Sequence, residues 1–175
     1  MNKNIVFIAD FYVKDILGGG ELNNEELYNI LVSKGYIVEK KYSHRVTTDF
    51  LQKNKDSFFI VFNFNNLNYR CREVLRDLNY AIYEHDHKYL KSRNPAIYKD
   101  FEIPESKIIN YFFYKSAQKV FCQSEFHKEI LSKNLNLKNI VNLGGNLWSE
   151  ESLSKMREIS KKPKKDTSSI LDSGT

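Results

Sequence analysis

The stretch IVFIADFYVKDILGGGELNNEELYNILVSK, residues 5–34, decides how the rest of the chain is read. It opens on a short continuous apolar run, Ile5-Val6-Phe7-Ile8-Ala9, the pattern of a buried strand. It closes on a helical pattern from Leu22 to Lys34, with Leu22, Leu27, Ile30 and Leu31 on one face and Gly35 in the C′ position. Between the two stands Gly18-Gly19-Gly20-Glu21. Strand, glycine-rich loop and helix together bring a phosphate or sugar close to main-chain N–H groups. Glycine has no Cβ, and the helix start offers unpaired N–H groups and the positive end of its dipole. Glu21 falls in the first helical turn, where a carboxylate is favoured on structural grounds alone. A tight structural turn would use the same glycines, so context must decide. No Lys-Ser/Thr pair follows the last glycine, and the glycines are contiguous rather than spaced as G-x-G-x-x-G. ATPase, GTPase and dinucleotide-dependent dehydrogenase readings lose ground.

Working outward, strands are expected over 36–42, 57–64, 79–84, 119–123 and 139–143, and helices over 48–54, 67–78, 106–116, 124–133 and 150–161. Ser124 stands as the cap of its helix, with Glu125 in the first turn. Residues 86–105 show no period and hold Pro95 and Pro104; a loop of that length in a compact domain is functional or lacks structure of its own. Strands alternating with helices predict an α/β fold: a Rossmann-like, mostly parallel sheet with helices on both faces. Ligands of such sheets bind beyond the carboxyl ends of the strands. The segments that follow strands should therefore gather on one edge.

With 41% hydrophobic and 28% charged residues the chain is globular, and no apolar run approaches the roughly 20 residues of a membrane span. Met1-Asn2-Lys3-Asn4 leads straight into a strand without the form of a secretory signal, and Cys71 and Cys122 lie far apart and match no metal spacing. Both features fit a cytoplasmic protein with buried, reduced thiols. The net charge of +5 is concentrated in Lys155–Lys165, so the basic balance says little about the folded body. Aromatic residues lie mostly inside apolar runs and not interleaved with basic ones, which argues against nucleic acid as a partner. The basic segment has the charge to touch anionic lipid headgroups, though no amphipathic stretch backs a membrane contact.

Four post-strand segments carry the candidate chemistry: Gly18-Gly19-Gly20-Glu21, Glu84-His85-Asp86-His87, Gln123-Ser124-Glu125-Phe126 and Asn142-Leu143-Gly144-Gly145-Asn146. Their order and spacing, over nearly the whole chain to about residue 148, resemble the N-terminal domain of GT-B glycosyltransferases, especially the retaining group that uses nucleotide-sugars. Such enzymes show a G-G-x-E loop after the first strand, similar to Gly19-Gly20-Glu21 within a three-glycine run. They carry a histidine, commonly followed by aspartate, after a later strand, as His85-Asp86 do. Lys119-Val120-Phe121-Cys122-Gln123-Ser124 resembles their strand–Ser–helix element. Gly144-Gly145-Asn146 resembles their final turn but lacks its Pro-Asn-Gly-Val-Asp form.

The resemblance implies that residues 1–148 form the acceptor-side half of a glycosyltransferase that moves a sugar from a nucleotide-sugar to a glycan, lipid or other acceptor, as in cell-surface glycan biosynthesis. The nucleotide-sugar is a co-substrate, and no further cofactor or bound metal is implied. Gly18, Gly19, Gly20 and Glu21 would lie near the donor diphosphate and sugar. His85 would contact the donor sugar, with Asp86, Ser124, Gly145 and Asn146 completing the substrate-binding set. The catalytic carboxylates and the basic pair that grips the nucleotide would belong to a C-terminal domain, reached through a helix and basic linker over 149–167 and opening with a strand at Ser168–Leu171. The isolated half would be inactive or nearly so.

For His85 itself, hydrogen bonding to sugar hydroxyls is preferred to shuttling a proton. Lys91 and Arg93, in the long loop, are placed to meet an anionic acceptor. Tyr111, Phe112, Phe113 and Tyr114 are either core or acceptor-lining residues. Two other functions fit the same sheet. One is a stand-alone sugar- or nucleotide-binding module without catalysis. The other is a metal-dependent hydrolase using His85 and His87, which share a face of an extended segment, with Asp10 as the further ligand.

Overall fold

A computed structural model describes residues 3–162. Six parallel strands form one sheet in the order β2-β1-β3-β4-β5-β6. They are β1 (Asn4–Ala9), β2 (Ile37–Tyr42), β3 (Phe58–Val61), β4 (Tyr80–Tyr83), β5 (Lys119–Cys122) and β6 (Ile140–Asn142). The helices are α1 (Gly19–Ser33), α2 (Thr48–Lys53), α3 (Tyr69–Leu75), α4 (Tyr111–Ser116), α5 (Glu125–Leu135) and α6 (Glu150–Ser160). The α/β class, the parallel sheet and every strand expected within the described residues are present. The helices expected at 67–78 and 106–116 are shorter. The strand expected at Ser168–Leu171 and the linker from residue 163 lie outside the described residues.

The sheet is covered unequally. Ile5, Phe7, Ala9, Ile60, Phe62 and Tyr83 face α1, which packs on them with Leu27, Tyr28 and Leu31. The opposite face carries the larger core, where Val6, Ile8, Phe59, Val61, Tyr80, Ile82, Val120 and Cys122 meet side chains from α2, α3, α4 and α5. Adjacent residues of β1 thus belong to different cores, which is why its sequence reads as an unbroken apolar run. Gly35 ends α1 with φ near 80°. Its N–H donates to Val32 O, and the Tyr36 N–H donates to Leu31 O, the paired bonds of a Schellman stop.

The strand order changes direction once, at β1, which pairs with both β2 and β3. The β1–β3 boundary is therefore the switch point of the sheet, and ligands of open α/β sheets bind beyond the carboxyl ends of the strands at such a point. Asp10, at the end of β1, braces this boundary. Its buried carboxylate accepts from Asn65 N (2.9 Å), Asn66 N (3.1 Å) and the Ser43 hydroxyl, tying the loops after β1, β2 and β3 together. The long segment after β4 is built from 3-10 turns at Pro95–Ile97, Lys99–Phe101 and Glu105–Lys107, with a bridge between Leu90 and Ile108.

Candidate functional site

The glycine run is less of a loop than its sequence suggests. Gly18 is the N-cap, while Gly19, Gly20 and Glu21 already form the first turn of α1. Earlier helix entry also changes the buried face. Gly20, Asn23, Asn24, Leu27 and Leu31 lie at i, i+3, i+4, i+7 and i+11, one stripe of a helix. Leu22 falls outside that stripe and is 43% exposed, a correction to its expected place on the core face. Asn23 and Asn24 are 1% and 2% exposed.

Gly20 is where α1 comes closest to the segment after β4. A Cβ there would lie 3.6 Å from Cγ and Cδ2 of His85, so the helix backbone sits directly on the imidazole. At Gly18 a Cβ would run into the Glu21 carboxylate, which folds back over the helix start and accepts from Asn63 Nδ2 (3.3 Å). The first turn of α1 is thereby joined to the segments following β3 and β4.

His85 is held on every side. Its Nε2 lies 2.9 Å from Asn24 Oδ1, and its Nδ1 lies 2.6 Å from Gln123 Nε2. An amide oxygen accepts and an amide nitrogen donates, so the ring is neutral with its proton on Nε2. It stacks against Phe62 and packs on Tyr83 at 5.0 Å. Burial, and next the Lys88 ammonium, push its pKa down to about 4. Such a ring orients and hydrogen-bonds; it does not carry protons near neutrality.

The last turn joins the same cluster. Leu147 N donates to Asn23 Oδ1 (2.7 Å), which also accepts from the Tyr83 hydroxyl (3.3 Å). Gly145 and Asn146, with Leu27, Tyr83 and Leu147, line a cavity of about 420 Å³ beside α1. Nδ2 of Asn23 and Nδ2 of Asn24 are buried with no protein acceptor. Ser124 caps α5 by accepting from His127 N (3.1 Å). Asp86 is bound to Lys88 and Arg93.

Asn23, Asn24, Asn63 and Gln123 thus connect the site; of these only Gln123 lies in a segment that the sequence singles out. The available signal was two adjacent amides in the stripe that leads from Gly20 to Leu27.

The metal set of His85, His87 and Asp10 does not assemble. His87 has φ near 54°, and this left-handed residue turns the chain so that the two histidines part. His85 packs on Phe62 and Tyr83, whereas His87 packs on Tyr89 and His127. The Asp10 carboxylate is taken up by two N–H groups and a hydroxyl. Among the described residues no three His, Cys, Asp or Glu side chains come together in a set that could hold a metal ion.

Beneath the edge lies a buried ionic group. Glu84 is fully buried; its Oε2 accepts from the Tyr114 hydroxyl and its Oε1 from Asp86 N (2.9 Å), with the Lys88 ammonium 3.6 Å away. Burial alone would raise its pKa. The Lys88 charge, the Tyr114 hydroxyl and the Asp86 N–H outweigh that and hold it below the usual carboxylate range. His87 is pushed down to about 4 by burial and then by His127, and His127 is itself lowered by burial.

These histidines make the fold acid-sensitive. Each binds its proton more weakly in the folded chain, so the stability they confer is complete above the unfolded pKa near 6.5 and is lost as pH falls toward 4. Glu84 continues the same trend below its own unfolded value of 4.5. His85 alone accounts for about 3 kcal/mol of this loss at full protonation. Urea midpoints at pH 7, 5.5 and 4.5 are expected to fall stepwise; a flat profile would contradict the buried neutral rings.

No family model matches the chain, and no curated protein matches it. No helix among the described residues is long and apolar enough to cross a membrane.

Proposed function

We propose that this domain is the acceptor-side half of a GT-B glycosyltransferase, in which α1 and His85 border the donor sugar and diphosphate. The observation that carries the reading is the seating of Gly20 on the His85 ring, with Asn24 hydrogen-bonded to it. Two segments 61 residues apart, which the family resemblance pairs in one site, meet here at the carboxyl edge of a parallel sheet. The buried amide nitrogens of Asn23 and Asn24 lack protein acceptors, and such donors suit sugar hydroxyls or diphosphate oxygens.

In this mechanism the domain supplies position and hydrogen bonds. Negative charge develops on the leaving diphosphate as the bond from the anomeric carbon to its oxygen breaks. N–H groups of the first turn of α1, fixed beforehand, stabilise that charge. His85, neutral and locked between Asn24 and Gln123, keeps the floor of the site rigid. Acceptor activation and the grip on the nucleotide belong to the second domain.

The test is turnover of a panel of nucleotide-sugars by the full-length protein. Gly20→Trp places an indole where the imidazole packs, and is expected to lower turnover about 100-fold by displacing the ring. Gly20→Ala makes only ordinary contacts at 3.6 Å and should retain most activity. Equal turnover of the Trp variant and the parent, or no turnover of any nucleotide-sugar, would retire the reading.

A further inference from the structure

A second concavity, of about 290 Å³, opens beyond β3 and β4 on the side away from α1. It is lined by Asn65, Arg72, Lys88, Lys91, Arg93 and Asn110. Arg72 comes from α3 and the other three cations from the segment after β4, so positive charge converges from two separate parts of the chain.

The cations are incompletely matched. Asp86 binds both Lys88 and Arg93, and Glu84 lies near Lys88 alone. Four cations thus face two carboxylates. The Arg72 guanidinium donates through Nη1 to the neutral Asn110 Oδ1, and its Nε is buried without a partner. Lys91 is exposed and forms no ion pair among the described residues. The Lys88 ammonium is buried against Asp86, Glu84 and the Phe64 ring, so it adds positive charge behind the pocket.

Unspent donors and excess charge in a concave polar site call for an anion. Two arginines and an exposed lysine lining one concavity, with the buried Lys88 charge behind them, suit a tetrahedral anion with several oxygens better than one carboxylate, whose two oxygens a single arginine satisfies. We infer that this pocket binds a phosphate group, held between Arg72 on α3 and Lys91 and Arg93 on the facing loop. On the transferase reading, the acceptor then carries a phosphate, whereas phosphate binding itself does not depend on that reading.

Inorganic phosphate titrated into the full chain, with chloride at equal ionic strength as the control, tests the site through backbone amide shifts. Saturable shifts confined to residues near 65, 72 and 88–93 are expected. Lys91→Glu is exposed, so folding is preserved, and it should weaken binding about tenfold. Arg72→Gln should do likewise, and Lys128→Glu on α5, the same charge change elsewhere, should leave binding unaltered. Linear shifts shared with chloride, or equal weakening by Lys91→Glu and Lys128→Glu, would overturn the site.

Two further arms identify where the phosphate comes from. Retention on phosphatidylcholine vesicles only when they contain phosphatidate, lost in Lys91→Glu, marks a lipid headgroup. Competition by glucose 6-phosphate without vesicle retention marks a soluble phosphate ester. Phosphate binding without nucleotide-sugar turnover would retire the transferase reading and leave the pocket standing; turnover without phosphate binding would do the reverse.

Discussion

Lys88→Met is expected to lower folding stability by about 3–5 kcal/mol, because it strands a charge that has no access to water. Glu84 and Lys88 are 0% and 2% exposed, and their charged atoms lie 3.6 Å apart. The pair is not isolated: Tyr114 and the N–H of Asp86 also serve the carboxylate. Removing the ammonium leaves those two donors but takes away the balancing charge, so Glu84 must either protonate or remain an unpaired buried anion. The double variant Lys88→Met/Glu84→Gln should recover much of the loss, since a glutamine keeps a carbonyl for the Tyr114 hydroxyl without the charge. Urea denaturation of the parent, both single variants and the double variant measures the coupling. Additive effects would show that the two residues do not act as a pair.

Asp10→Ala is expected to cost about 3 kcal/mol, by a different route. Here nothing is gained or lost in ion pairing. The carboxylate accepts from two backbone N–H groups and the Ser43 hydroxyl in a site that is 3% exposed, and alanine offers none of them an acceptor. The two N–H groups belong to Asn65 and Asn66, so the turn after β3 should loosen first, with Asn63 and its bond to Glu21 next to it. Asp10→Asn keeps one acceptor but brings an NH₂ toward existing donors, and should fall between parent and alanine. Hydrogen exchange of the Asn65 and Asn66 amides gives the local readout. Unchanged protection in Asp10→Ala would refute the brace.

The strands were legible because a parallel strand buried on both faces is a short apolar run with no alternation. IVFIA and FFIV need no tertiary information to be recognised, and Gly35 needs none to mark the end of α1. The start of α1 was less legible. Glycine has low helix propensity, so Gly19 and Gly20 read as loop. Packing against His85 supplies what propensity lacks.

The sequence by itself determined the alternation of strands and helices, and so the parallel sheet and the edge on which its post-strand segments gather. Those depend on local patterns, each readable within one element. The tertiary structure alone decided how that edge is wired. Histidines two residues apart were separated by a left-handed turn at His87, which only surrounding contacts select. Asp10 became a brace and not a metal ligand because three donors from distant loops reached it first. Asn23 and Asn24 became the centre of the site through partners as remote as His85 and Leu147. A polar side chain has no role until its partners are placed, and placing them requires the whole fold.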